Sequence, residues 1–247
     1  MASITLSFHS EALERTVPLR ALVPLEDAPR VPMPALYLLH GLYGSEQDWF
    51  QYTRVMLWAR AKGLAVFCPA GENGFYVNQA DTGEAYMRYV GEELPAFTRR
   101  LFPLSSRRED TFIAGLSMGG YGAMKCALTY PDRYAGAASF SGVCDLRRTV
   151  ERRSISLHES EIAAIFGEEK AVPPKDDLFV LAERLSGEAP GLYLSCGEQD
   201  GLYAANERFS AHLASLSLAH RFDHWPGAHT WDFWDTSLRA ALAYFFD

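Results

Sequence analysis

The sequence predicts an α/β fold: one mostly parallel sheet with helices packed on both of its faces. Three observations carry this. Short apolar runs at 35–39, 64–68, 111–114, 134–140 and 192–196 are near-continuous rather than alternating, as in strands buried on both faces. Segments with helical spacing lie between them, joined by short turns, so strand and helix alternate along the chain. Finally, Gly115-Leu-Ser117-Met-Gly119 sits between a strand-like and a helix-like run.

The elements follow in order. Ile4, Leu6 and Phe8 alternate with polar residues, and a second β-like run covers Thr16 to Val23, which together predict an opening hairpin. The proline-rich link from Pro24 to Pro34 leads into the first buried strand. A helix is expected from about Trp49 to Ala61, stopped at Gly63 before the strand Leu64 to Cys68. Residues 70–82 read as loop and Glu84 to Phe102 as helix, ending before Pro103. Tyr121, Met124 and Leu128 recur at helical spacing, with Ala123 and Ala127 on a small-residue face, until Pro131. After the strand at 134–140, residues 145–185 are charged, proline-broken and without a strand-like run. They read as a small insertion where a cap over the sheet's C-terminal edge belongs. Leu192 to Cys196 is a further strand, Leu202 to Leu216 an amphipathic helix, Arg221 to Trp225 a short last strand, and Thr230 to Phe246 the closing helix. No internal repeat breaks this into units, so 1–247 is expected to be a single domain.

Composition narrows the function. With 48% hydrophobic and 22% charged residues, the 247-residue chain reads as an ordinary globular enzyme. A formal net charge of −8 without a basic stripe argues against nucleic acid and anionic membrane as partners. No apolar run approaches a membrane span, and the first ten residues lack the basic start and apolar core of a signal peptide. Cys68, Cys126, Cys144 and Cys196 have no metal-ligand spacing and read as buried free thiols, which points to the cytoplasm. No cofactor or metal set is expected, and homo-oligomerisation is left open.

The chemistry centres on Ser117. A sharp strand-to-helix turn would force it into strained backbone angles, where Cβ atoms two residues before and after are not tolerated. Its hydroxyl would then stand above a helix N-terminus, which favours developing negative charge. The bare pattern also fits a glycine-rich turn into a buried helix, so partners must decide. A serine needs a base, and the base an acid to orient it. Asp200 is the candidate acid, since it follows an apolar strand through the turn at Gly197. It could equally cap the helix starting near Leu202, and the two roles are compatible. Asp145, after the strand that follows the elbow, and Asp223, inside a strand pattern, are rivals. His229, in the turn Pro226-Gly-Ala-His229-Thr230 before the last helix, is the candidate base. His212 and His220 read as surface residues, His224 as a strand histidine, and His9 and His158 lie out of place. An oxyanion hole would take the Met118 amide and, from the turn His40-Gly-Leu-Tyr-Gly44, the Leu42 amide. His40 would hold that loop. Trp49, Tyr76 and Trp231, all expected near the sheet's C-terminal edge, are candidate substrate contacts, with core packing as the alternative for each.

With these residues placed, the chain resembles the esterase D group of α/β-hydrolases. The resemblance spans nearly the whole chain: Phe8 to Leu13, His40 to Ser45, Asp48-Trp49, Glu92 to Pro95, Gly115 to Ala123, and Gly227-Ala-His-Thr-Trp-Asp-Phe-Trp234. The last of these is most similar to the tributyrin and acetyl esterase branch. The resemblance implies an α/β-hydrolase fold, Ser117, Asp200 and His229 as triad, and Leu42 and Met118 as oxyanion donors. It implies a serine carboxylesterase acting on small-molecule short-chain or aryl acyl esters (tributyrin, acetyl or feruloyl type). S-formylglutathione hydrolase is the second reading, set back by a shorter chain and a different C-terminal motif. A catalytically inactive binding protein of the same fold is the reading from another class.

Overall fold

The computed structural model describes residues 1–26, 31–154 and 156–247, so part of the proline-rich link and one position of the insertion lie outside it. The chain opens with β1 (Ala2–Ser10) and β2 (Arg15–Val23), an antiparallel pair in which Leu6 faces Leu19. There follow β3 (Ala35–Leu39), the short helices α1 (Asp48–Tyr52) and α2 (Val55–Ala61), and β4 (Ala65–Pro69). Next come α3 (Tyr86–Arg88), a π turn at Tyr89–Glu93, and α4 (Leu94–Leu101). The centre is β5 (Thr111–Leu116), α5 (Met118–Thr129) and β6 (Gly136–Phe140). After α6 (Leu146–Glu151), α7 (Glu159–Phe166) and α8 (Leu178–Glu183), the chain ends in β7 (Gly191–Gly197), α9 (Tyr203–Ser215), β8 (His220–Trp225) and α10 (Trp231–Phe246).

The eight strands form one sheet in the order β1-β2-β4-β3-β5-β6-β7-β8, antiparallel at β1, β2 and β4 and parallel from β4 onward. Helices cover both faces, which is the α/β-hydrolase architecture. Alternating strand residues serve two separate cores. Tyr37, Ile113 and Leu194 join the core under α5 and α9, while Leu38, Ala114 and Tyr193 join the one under α10. Because β3, β5, β7 and β8 run in parallel, the turns after all four emerge along one edge of the sheet.

Two expected helices are interrupted, each for a local reason. The one expected from Trp49 to Ala61 breaks after Tyr52, where Thr53 is extended and its hydroxyl caps the Trp49 carbonyl. Asp235 of α10 takes the Arg54 amide at 2.8 Å and the Arg54 Nε at 2.8 Å, holding the break open. Within 84–102, Pro95 has no N–H to donate to Gly91, and the Gly91 carbonyl accepts Arg133 Nη1 at 2.9 Å instead. The π turn sits there. The strand at 134–140 starts only at Gly136, whose missing Cβ leaves room for the Phe245 ring.

Between β6 and β7, residues 145–185 hold α6, α7 and α8 and no strand among the described residues. This segment is tied to α5 through a buried ion pair between Lys125 and Asp176, with the Tyr121 hydroxyl donating to the Asp176 carbonyl. Burial pulls the Lys125 ammonium below its usual range, and Asp176 partly restores it.

Candidate active site

Ser117 joins β5 to α5 with φ 53° and ψ −117°, angles that an L-residue keeps only when its surroundings enforce them. They do so here. Its amide donates to the Phe140 carbonyl of β6 at 2.9 Å, and its carbonyl accepts Tyr121 N and Val143 N at 3.1 and 3.2 Å. A Cβ on Gly115 would lie 2.4 Å from the Gly119 carbonyl group, and one on Gly119 would lie 2.5 Å from the carbonyl oxygens of Leu39 and His40. The glycines two positions either side of Ser117 are therefore steric requirements of the turn.

Asp200 and His229 reach Ser117 from the turns after β7 and β8. His229 Nδ1 lies 2.8 Å from Asp200 Oδ2, and Nε2 lies 3.1 Å from Ser117 Oγ. A carboxylate can only accept, so Nδ1 carries the proton and Nε2 turns its lone pair toward the hydroxyl. Asp200 Oδ1 accepts the Leu202 amide at 2.9 Å and so braces the turn that leads into α9, whose N-cap is Leu202 and not Asp200. Burial alone would raise the Asp200 carboxyl. Hydrogen bonds from His229 and Leu202 outweigh it and hold the group below the usual carboxylate range.

The rival acids are occupied elsewhere. Asp145 caps α6 through the Arg148 amide and pairs with Arg208 at 2.8 Å. Asp223 accepts Tyr193 Oη at 3.0 Å and Arg221 Nε at 2.9 Å. His212 bonds the Phe179 carbonyl, His220 bonds Ser210, and His224 bonds Glu198, all away from Ser117.

The Leu42 and Met118 amides belong to the two turns flanking Ser117. Met118 opens α5, so its N–H has no acceptor within the helix. Gly44 N–H closes the other turn on Gly41 O at 3.1 Å, leaving the Leu42 amide outside the turn's own bond. Tyr43 takes the left-handed position of that turn, φ 61°, and its amide donates to Asn73 Oδ1 at 2.8 Å. Behind the loop, buried His40 accepts Gly71 N–H on Nε2 at 2.8 Å and donates from Nδ1 to Gly41 O at 2.7 Å. It is thereby fixed as one neutral tautomer. Burial drives its pKa down, against the raising effects of the Gly41 carbonyl and the charges of Asp48, Glu46 and Glu72. Sequence reasoning gave His40 a loop-holding role but missed Gly71 and Asn73, which lie some 30 residues away. It also missed Gln199, whose neighbour Gly197 approaches Gly227 so closely that a Cβ would stand 2.3 Å from the Gly227 carbonyl.

The three aromatic candidates separate. Trp231 lines the cleft. Trp49 and Tyr76 are corrections: both have 0% exposure and lie beneath the site. The Trp49 indole donates to Leu39 O at 3.0 Å, and the Tyr76 hydroxyl to His40 O at 3.1 Å, while its ring fills the space left by Gly71 and Gly122. They support the His40–Gly44 loop from below.

The cleft has two lobes meeting at Ser117, Leu42 and His229. One, of about 400 Å³, is walled by Phe75, Val143 and Leu202 and roofed by Thr149, Ser154 and Ser156 of the insertion. The other, of about 520 Å³, is walled by Tyr52, Trp231 and Trp234 with Asp48 at its side. Among the described residues no group of three or more His, Cys, Asp or Glu side chains converges to hold a metal ion, and no helix is long and apolar enough to cross a membrane.

Comparison with known proteins agrees with this fold. The family model named Esterase matches residues 10–245. An acetyl esterase of Caldicellulosiruptor saccharolyticus is 30% identical over 258 residues, covering 98% of this chain and 97% of that protein. Among solved structures, the fluorophosphonate-binding serine hydrolase FphF of Staphylococcus aureus superposes with a TM-score of 0.91 at 31% identity, covering 100% of this chain and 98% of that one. The S-formylglutathione hydrolase FrmB of the same organism gives 0.90 at 30% identity, covering 100% of this chain and 99% of that one.

Proposed function

Since this chain belongs to the Esterase family and is a serine-type carboxylic ester hydrolase of the α/β-hydrolase fold, we propose that it cleaves short-chain or aryl acyl esters with Ser117, His229 and Asp200 as its triad. Ser117 Oγ attacks the ester carbonyl as His229 Nε2 takes its proton. The Leu42 and Met118 amides receive the oxyanion. The tetrahedral adduct then expels the alcohol, which takes that proton from His229. Water, deprotonated by the same nitrogen, releases the acid from the acyl-enzyme. Asp200 fixes the tautomer throughout.

The observation that carries this reading is the relay of 2.8 and 3.1 Å from Asp200 through His229 to Ser117. An inactive binding protein would have no need of that relay. We assign the acyl group to the apolar lobe and the role of cap to residues 145–185, because Thr149, Ser154 and Ser156 roof that lobe; the whole chain then works as one domain. S-formylglutathione hydrolysis stands second, supported by the likeness to FrmB, since neither lobe is lined by a Lys or Arg that would meet the carboxylates of glutathione. A cytoplasmic setting accords with four buried, unpaired thiols.

Ser117→Ala tests the proposal. It should fold normally, by circular dichroism and thermal melting, while hydrolysis of 4-nitrophenyl acetate falls by several orders of magnitude. A folded Ser117→Ala protein with full activity would sink it.

A further inference from the structure

The second lobe has a chemistry that the esterase reading leaves unused. Its walls are aromatic. Trp231 and Trp234 cross edge-to-face with centroids 5.1 Å apart, and Tyr52, 55% exposed, lies over Trp231 at 5.0 Å. Among the described residues, Asp48 is the one carboxylate on its wall. That carboxylate accepts Ser45 N at 3.1 Å and Ser45 Oγ at 2.9 Å, and no cation among the described residues pairs with it in this lobe. Arg54, in the break between α1 and α2, is bound to Asp235 and stacked over Trp58.

The exposed Tyr52 phenol and the half-buried Trp231 indole, beside a carboxylate, attract an organic ammonium through ring quadrupole and charge together. They repel an anion by the same means. The neighbouring lobe is walled by Phe75, Val143 and Leu202, the Asp200 carboxylate on its lining is already bonded to His229 and the Leu202 amide, and the lobe suits an alkyl or aryl acyl chain. We propose that the Tyr52–Trp231–Asp48 lobe receives the alcohol half of the ester and selects alcohols that carry an ammonium group. This rests on the esterase reading of the same site. In the reaction Ser117 Oγ forms a bond to the acyl carbon as the ester C–O bond breaks. The departing oxygen takes the proton from His229 Nε2, and the ammonium alcohol leaves with its charge unchanged.

The test compares kcat/KM for acetylcholine with that for 3,3-dimethylbutyl acetate, its uncharged isostere, in the full-length protein. The charged ester should be favoured roughly tenfold, the size of an exposed cation–π contact with a screened charge pair. That ratio should shrink several-fold in 0.5 M NaCl, in Asp48→Asn and in Tyr52→Leu, each ratio being internal to one protein and so insensitive to a general loss of activity. A wild-type ratio of one or below overturns the proposal, as does a ratio that neither substitution changes. Faster turnover of glycine betaine ethyl ester, which carries its charge on the acyl side, than of acetylcholine would overturn the placement of the alcohol. If 4-nitrophenyl acetate is also inert, or is cleaved equally by Ser117→Ala, the esterase reading itself has failed.

Discussion

Gln199 and Gly227 are joined by two hydrogen bonds: Gln199 N–H donates to the Gly227 carbonyl at 2.9 Å, and Gly227 N–H to Gln199 Oε1 at 2.6 Å. One residue after Gln199 stands Asp200, and two after Gly227 stands His229. The turns that carry Asp200 and His229 are therefore tied to each other, and the 2.8 Å contact between their side chains is positioned by these bonds as well as by its own attraction.

Gln199→Ala removes the bond to Gly227 N–H and leaves the backbone pair. Steady-state kinetics should show kcat lowered about tenfold with KM little changed, because small displacements of a catalytic group are costly while substrate binding is untouched. Unaltered kcat would mean that the Asp200–His229 contact alone sets the geometry.

Asp200→Asn keeps the shape of the acid but lets the imidazole take the wrong tautomer. A loss on the order of 10⁴ in kcat is expected. Asp145→Asn and Asp223→Asn, whose partners are Arg208, Tyr193 and Arg221, should stay within a few-fold of wild type. The reverse ranking would show that the acid has been misassigned.

In the proposed assignment the acyl chain enters a lobe of about 400 Å³ that Thr149, Ser154 and Ser156 of the insertion help to line. Each methylene that fits contributes about 0.8 kcal/mol, and one that clashes reverses the gain. Across 4-nitrophenyl esters from acetate to palmitate, kcat/KM should peak at roughly two to four acyl carbons. A profile still climbing at palmitate would show that the insertion does not close the lobe.

Asp235 fastens α10 to the α1–α2 break. Burial raises its carboxyl, but the Arg54 amide and guanidinium and the Trp58 indole, at 3.2 Å, outweigh this and hold its pKa below the usual value. A depressed folded-state pKa stabilises fully above the unfolded value of about 3.9 and is lost as pH falls below it. Asp235→Asn should thus lower Tm at pH 7, by roughly 2–4 °C for each kcal/mol removed in a chain this size. Thermal melts taken down to pH 3 should show wild type and variant converging below about pH 4. A constant gap would assign the loss to packing instead.

The order of strands and helices was legible in the sequence because it follows from periodicity, which each segment carries by itself. Ser117, Asp200 and His229 could be selected because the steric needs of a strand-to-helix turn and the chain order of acid and base leave a local trace. Leu42 and Met118 were read as oxyanion donors from their place beside turns, and the role stays a proposal. What a segment cannot encode alone was decided by the tertiary structure. The helix after the oxyanion turn breaks at Arg54 because a carboxylate 181 residues further on binds that amide. Trp49 and Tyr76 lie near the site in sequence terms, yet packing of α1 and of the loop after β4 against the sheet and α5 buries them, and their polar atoms bond the Leu39 and His40 carbonyls. Trp231 reaches the cleft only because α10 returns across the sheet to pack against α2. Residue type and spacing determined which groups this chain has for chemistry; which of them face substrate depends on packing between distant segments, and that only the folded chain decides.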